Sequence, residues 1–342
     1  MTVRDFLEEW NGESPYIRVH TSGSTGQPKE LRVERSRMLA SARMTCDYLS
    51  LRRGDVALLC LPLEFIAGKM MVVRSLERGM QLLEVTPSAH PLARDMGHID
   101  FAAMVPSQVY ETLREPAEKA RLAEIGNIII GGGILPAGVE QELRSFPNAI
   151  YCTYGMTETL SHIAMRRVSG KHAADIYTPM DGVTLSLTDC EDDRHTVGRL
   201  VIDAPHLCSA TLVTNDIVQM AGRGFRVIGR TDNVICSGGI KLHIEQLEEQ
   251  LRPHMPCPFC ITGQPHPKLG EAAVLMAESE PPLAGHLTEV IRSVCRRHLP
   301  RYAVPRTVIA VPRLPLTANG KPDRAEARRM VQTGQPTLVA EL

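Results

Sequence analysis

The sequence has no apolar stretch approaching the roughly 18 residues that a membrane-spanning helix needs. Its first residues, MTVRDFLEEW, are acidic and amphipathic, with no apolar segment of the secretory type. No run of Lys or Arg resembles a nucleic-acid-binding arm. The doublets Arg166-Arg167, Arg296-Arg297 and Arg328-Arg329 read as solvated charges at helix or strand ends, and the formal net charge is -1. Internal repeats are also missing. Together these absences argue against a membrane span, a secreted leader and nucleic acid as a partner.

A disulfide framework is lacking too. The nine cysteines are odd in number and scattered, which suits free thiols in a reducing cytoplasm. Cys257 and Cys260 form a Cys-x-x-Cys flanked by His254 and His266, but no second pair completes a zinc-finger spacing. The surrounding Pro256, Pro258, Pro265 and Pro267 favour buried thiols beside a strand.

What is present is an ordinary globular composition, 43% hydrophobic and 23% charged, over 342 residues. That length suits a large core plus one further domain. From residue 1 to about 181, short apolar runs (57–63, 81–85, 101–105, 127–130, 149–154) alternate with helical stretches, which predicts an α/β layered fold with a largely parallel sheet. From about 182, short β-rich pieces separated by Gly, Asp and Asn predict a small antiparallel subdomain. After Gly229 the pattern becomes α+β. The expected division is a large domain at 1–229 and a small mobile α+β domain at 230–342.

The strongest chemical signal is Thr21-Ser22-Gly23-Ser24-Thr25-Gly26-Gln27-Pro28-Lys29. Small residues let backbone N–H groups converge on an anion, and four hydroxyls and an ammonium add donors. A triphosphate is the natural guest. A Walker A loop is excluded, because Pro28 stands between the glycine segment and Lys29.

This loop resembles that of the acyl-adenylate-forming superfamily: acyl-CoA synthetases, peptide-synthetase adenylation domains and luciferases. Further segments resemble the family's motifs in the family's order. Gly131-Gly132-Gly133 is similar to the glycine segment that passes beside adenine, where a side chain would occupy the space of the base. Tyr154-Gly155-Met156-Thr157-Glu158 matches the Tyr-Gly-x-Thr-Glu signature. The resemblance places the Tyr154 ring on adenine, Thr157 on the α-phosphate and Glu158 on Mg²⁺. Thr214-Asn215-Asp216 is similar to a Thr-Gly-Asp segment, with Asn in place of Gly; Asp216 would accept the ribose hydroxyls, with Arg230 nearby. Asp232 corresponds to the hinge pivot. Ser237-Gly238-Gly239 resembles the segment that lines the pantetheine channel. Lys321, after Leu314-Pro315-Leu316-Thr317-Ala318-Asn319-Gly320, corresponds to the lysine that meets the carboxylate and α-phosphate.

The resemblance implies a cytoplasmic enzyme that takes a small carboxylic acid, ATP with Mg²⁺, and coenzyme A, forming an acyl-adenylate and then a thioester. It also implies a shortened segment before the phosphate loop, reduced to residues 1–20. For the acid, Phe65 stands where the family commonly has His, and Arg74 lies further along the same helix. Arg74 together with Ser161 is most similar to o-succinylbenzoate–CoA ligases of menaquinone biosynthesis, in which one carboxylate is activated and the other needs a cationic or hydroxyl partner. Other readings stay open: another aryl or fatty acid, loading of a carrier protein, or an adenylate-binding protein without activity. A homodimer is also left open.

Overall fold

The computed structural model describes residues 1–20, 30–133, 135–190, 194–279, 285–317, 322–334 and 339–341. Helix α1 (Val3–Asn11) starts at a capping box between Thr2 and Asp5 and buries Phe6. Strands β1 (Tyr16–His20) and β2 (Glu30–Glu34) pair antiparallel, and α2 (Arg35–Tyr48) follows.

A seven-stranded sheet forms the centre. Its chain order is β3 (Val56–Leu59), α3 (Ile66–Arg78), β4 (Gln81–Glu84), β5 (Phe101–Met104), α4 (Pro106–Thr112), α5 (Pro116–Glu124), β6 (Asn127–Ile130), α6 (Ala137–Leu143), β7 (Ala149–Gly155), β8 (His162–Arg167) and β9 (Thr178–Pro179). In space the order is β4-β3-β5-β6-β7-β8-β9. The pairs from β4 to β7 are parallel, and β8 and β9 add antiparallel. All four residues of β5 are buried, as expected of a strand with helices on both faces.

Next comes a four-stranded antiparallel sheet of β10 (Thr184–Thr188), β11 (Val197–Asp203), β12 (Leu212–Ala221) and β13 (Gly224–Arg230). Burial alternates along β11, so this sheet has one wet face. The smaller C-terminal domain follows, with β14 (Val234–Ser237), β15 (Ile240–His243), α7 (Ile244–Leu251), β16 (Phe259–His266), β17 (Gly270–Glu278), α8 (Gly285–His298), β18 (Thr307–Val311), α9 (Arg324–Thr333) and β19 (Val339–Glu341). Buried apolar residues from Ile235 onward form two clusters of their own.

The expected α/β body, antiparallel sheet and α+β region are all present. Seven strands and α-helices lie beyond the sequence expectation: β2, β8, β9, β14, β19, α5 and α9. Cys257 and Cys260 turn towards different apolar clusters. Burial pushes the Cys260 thiol up to about 12. Among the described residues no group of three or more His, Cys, Asp or Glu could hold a metal ion, and no helix is long and apolar enough to cross a membrane.

One buried ion pair fastens the C-terminal domain. Glu248, on α7, accepts from both terminal nitrogens of Arg324 at 2.9 and 2.7 Å, and from the Ile261 amide at 2.7 Å. Helices α7 and α9 and strand β16 therefore converge on a single carboxylate. Arg324 is partly exposed and also lies 3.8 Å from Glu245, so Glu248→Ala removes three hydrogen bonds without stranding the guanidinium and is expected to cost about 1–3 kcal/mol. Denaturant unfolding checks this, and a loss below about 1 kcal/mol would show that water replaces the carboxylate.

Candidate active site

Parallel strands deliver their carboxyl ends to one edge, the usual place for a ligand in an α/β sheet. Gly131–Gly133 leave the end of β6, and Tyr154 and Gly155 close the neighbouring β7. A Cβ on Gly131 would stand 2.5 Å from the Thr153 hydroxyl, so the backbone there must be bare. Gly132 and Gly133 are exposed. A flat, side-chain-free strip results, of the kind a planar base can lie against.

Tyr154 donates from its hydroxyl to Asp216 Oδ2 at 2.5 Å. Burial, followed by the Asp216 charge, pushes this phenol far above its ordinary range, so it stays a donor. Phe225 meets the Tyr154 ring edge-on at 5.0 Å and fixes its plane. Asp216, on β12, faces Arg230 across the β12–β13 ladder, and Arg230 Nη1 donates to Asp216 Oδ1 at 3.1 Å. Each Asp216 oxygen thus has one protein partner and retains a lone pair for a hydroxyl.

Arg230 also reaches Asp232 Oδ2 at 2.8 Å. Asn215, in the position of the family's glycine, donates to Asp232 Oδ1 at 3.1 Å. With the Thr231 hydroxyl at 3.5 Å, Asp232 therefore has three side-chain donors, one of which comes from a departure from the family pattern. Beyond it, Ser237 ends β14, and Gly238 and Gly239 turn the chain into β15 with φ of +59° and +83°. Such a two-residue turn needs positive φ at both positions.

Thr157 and Glu158 lie in a single 3-10 turn after β7. Glu158 is exposed. Its carbonyl accepts from the Cys208 thiol at 3.3 Å, and burial raises the pKa of that thiol. Mg²⁺ keeps several waters and is commonly held by one or two carboxylates together with substrate phosphates. A lone exposed carboxylate suits a metal ion that arrives on a polyphosphate, so Glu158 fits the implied ion.

The candidate acid-binding residues come together in part. Arg74, on α3, and Ser161, before β8, meet with Nη2 2.6 Å from Oγ. Arg74 is 2% exposed. Its Nη1 contacts the Met71 sulfur at 3.7 Å, and its Nε has no partner among the described residues. No carboxylate there lies close enough to shift it; burial dominates and pushes the guanidinium down to about 10. Phe65 is not part of this cluster. It is the exposed N-cap residue of α3, nine residues before Arg74, or roughly 13 Å along a helix axis. Thr21–Lys29, with Thr21, Ser22, Gly23, Ser24, Thr25, Gly26 and Lys29, lie outside the described residues, as does Lys321.

Gly155 joins the two halves of the site. It pairs with His162 at a register shift, and a Cβ on it would fall 2.3 Å from the Ser161 carbonyl. Leu160, between Glu158 and Ser161, adopts φ +64°, a conformation costly for a bulky residue. Thr159 holds the turn, accepting from the Met156 amide at 3.0 Å and donating to the Ser161 carbonyl at 2.7 Å.

Sequence reasoning missed His162 and Thr45. The His162 ring lies 3.2 Å from Ser161 Oγ and 3.1 Å from Thr45 Oγ1. A lone histidine beside an apolar run reads as core, and only recognition of β8 would have aimed it at Ser161. Burial, then the Arg74 charge, hold its pKa well below 6.5. The unfolded chain therefore takes up a proton at this position before the folded chain does. The contribution of His162 to stability is complete above pH 6.5 and is lost as pH falls from there towards the folded pKa. Wild type should lose up to about 1.4 kcal/mol more per pH unit than His162→Asn in that window. Parallel stability curves from pH 7.5 to 5 would show that the ring titrates normally.

Residues 5–210 match the AMP-binding enzyme family, and residues 259–321 match the AMP-binding enzyme C-terminal domain. The 2-succinylbenzoate–CoA ligase of Bacillus cereus (strain ATCC 10987 / NRS 248) is 25% identical over 358 aligned positions, covering 95% of this chain and 72% of that protein. The crystal structure of an acyl-CoA synthetase (AMP-forming)/AMP-acid ligase II-like protein from Dyadobacter fermentans DSM 18053 is 33% identical, with a TM-score of 0.62, and the match covers 94% of this chain and 91% of that one. The o-succinylbenzoate CoA synthetase of Bacillus subtilis in complex with its acyl-adenylate intermediate shares the fold, with a TM-score of 0.75 at 22% identity, over 91% of this chain and 68% of that one. The chain belongs to the AMP-binding enzyme family.

Proposed function

We propose that this protein is a cytoplasmic ligase that activates o-succinylbenzoate with ATP and transfers the acyl group to coenzyme A, a step of menaquinone synthesis. Its class is that of the AMP-forming acid–CoA ligases. The observation that carries the choice of acid is Arg74: a buried guanidinium held by Ser161, with an unused Nε and no carboxylate partner among the described residues. Burying such a charge costs several kcal/mol unless an anion joins it. A dicarboxylic acid supplies that anion with one carboxylate and presents the other for reaction.

In the first half-reaction, a carboxylate oxygen attacks the α-phosphorus of ATP, the bond to the bridging oxygen breaks, and pyrophosphate leaves. The Gly131–Gly133 strip and Tyr154 seat the base. Asp216 accepts from the ribose and is itself held by Tyr154 and Arg230. The loop at 21–29 would supply donors to the phosphates, Thr157 and Lys321 would act on the α-phosphate, and Glu158 would hold Mg²⁺, which supplies positive charge to offset that of the phosphates. Catalysis is then mostly positioning and electrostatics. In the second half-reaction, the coenzyme A thiol attacks the acyl carbon and AMP leaves. We assign the small domain to residues 230–342, its pivot to Asp232, and the thiol approach to Ser237–Gly239. Phe65 sits at the acid entrance.

An assay of acid-dependent pyrophosphate release and CoA-thioester formation over a panel of o-succinylbenzoate, benzoates and fatty acids tests the reading. Arg74→Ala is expected to raise KM for the dicarboxylate about ten- to hundredfold and to leave KM for ATP unchanged. Equal effects on both would remove Arg74 from the acid site. Lys321→Ala is expected to slow adenylation about 10²–10³-fold. Unchanged adenylation would defeat the mechanism.

A further inference from the structure

The contacts around Arg74 fit one directed chain of hydrogen bonds. Arg74 has donors only, so its Nη2 gives a hydrogen to Ser161 Oγ at 2.6 Å. At the far end, the Thr45 hydroxyl lies 3.1 Å from the Ser41 carbonyl, one turn back on α2. A carbonyl only accepts, and we take the Thr45 hydrogen to point to Ser41. In that assignment Thr45 Oγ1 accepts from His162 Nε2, 3.1 Å away. A neutral imidazole carries one N–H, so His162 Nδ1 is bare and accepts the Ser161 hydroxyl hydrogen at 3.2 Å. The relay runs in one direction: Arg74 to Ser161, Ser161 to His162, His162 to Thr45, and Thr45 to the helix backbone.

We infer that His162 is a positioning residue of the acid subsite: by taking the Ser161 hydrogen it makes Ser161 an acceptor, which fixes the Arg74 guanidinium. Ser161 then has no hydrogen left for substrate. The donors that remain for the second carboxylate are those of Arg74, whose Nε has no partner among the described residues. Burial of the ring, 6% exposed, keeps it from becoming a cation beside Arg74. Anchoring on Thr45 ties the orientation of the guanidinium to α2, an element that holds no other residue of the proposed chemistry.

The inference rests on the dicarboxylate reading, and two conservative variants separate them. Asn places its side-chain oxygen near the position of Nδ1, whereas Gln places its amide near Nε2. In the full chain, His162→Asn should keep KM for o-succinylbenzoate within about threefold of wild type. His162→Gln should raise it about tenfold or more, with kcat and KM for ATP unchanged. Ser161→Ala, which needs no repacking of a ring, should match His162→Gln. If the Asn and Gln variants behave alike, or if KM for ATP rises in step, His162 only packs and the inference is overturned. Arg74→Ala is run alongside. Should it leave KM for the dicarboxylate unchanged, the acid reading fails and takes this inference with it. Should it raise KM while His162→Gln and Ser161→Ala do not, the inference fails alone.

Discussion

The Asp216 carboxylate is the junction on which the site depends. One oxygen is held by Tyr154 from the seven-stranded sheet and the other by Arg230 from the four-stranded sheet. Arg230 passes the connection on to Asp232, where the C-terminal region begins. Charge-assisted hydrogen bonds are shorter and stronger than neutral ones, and here they link two sheets whose apolar faces also meet in one cluster, with Ile163 of β8 beside Leu200 and Phe225. Tyr154 belongs to both functions, since its ring packs on Phe225 while its hydroxyl serves Asp216. In the proposed chemistry one side chain would therefore set both the ribose partner and the base platform.

Gly155 is a second constraint, of a steric kind. Because the Ser161 carbonyl comes so near, the chain can run from the end of β7 through the Thr157–Glu158 turn and back onto β8 within a few residues. Tyr154, Thr157, Glu158 and Ser161, to which the proposal gives base, phosphate and acid roles, therefore lie on one short connection. Leu160 accepts an unfavourable φ inside that connection, and the hydrogen bonds of Thr159 hold it there.

Much of the fold could be read from the sequence, because its parallel strands are short apolar runs bounded by turn residues. Strands that carry charge were harder to see. HIAMRR of β8 ends on two arginines, and the helix α9, RAEARRMVQT, carries three arginines and only short apolar side chains apart from Met330 and Val331. The nucleotide residues were legible as motifs, since each is a local pattern. The meeting of Arg74 and Ser161 was anticipated only by resemblance, because 87 residues separate them and no local rule brings α3 to β8. His162, Thr45 and the tie from Asn215 to Asp232 depend on tertiary geometry alone and have no sequence signature. Phe65 shows the opposite case: a motif position that the structure leaves at the exposed start of α3, apart from Arg74 and Ser161.

The thiols acquire a meaning from the proposed chemistry. An acyl-adenylate is a strong acylating agent, and a thiolate nearby would capture the acyl group and leave the enzyme covalently blocked. Cys208 is close to that danger, with its sulfur against the carbonyl of Glu158. Its proton is held by that carbonyl, and burial raises the energy of its anion. Cys46, Cys60 and Cys152, packed around the same sheet, are pushed up to about 11, 12 and 12. Buried sulfur thus gives the fold soft, space-filling side chains while withholding the nucleophile, and self-acylation is suppressed by the same desolvation that packs the core.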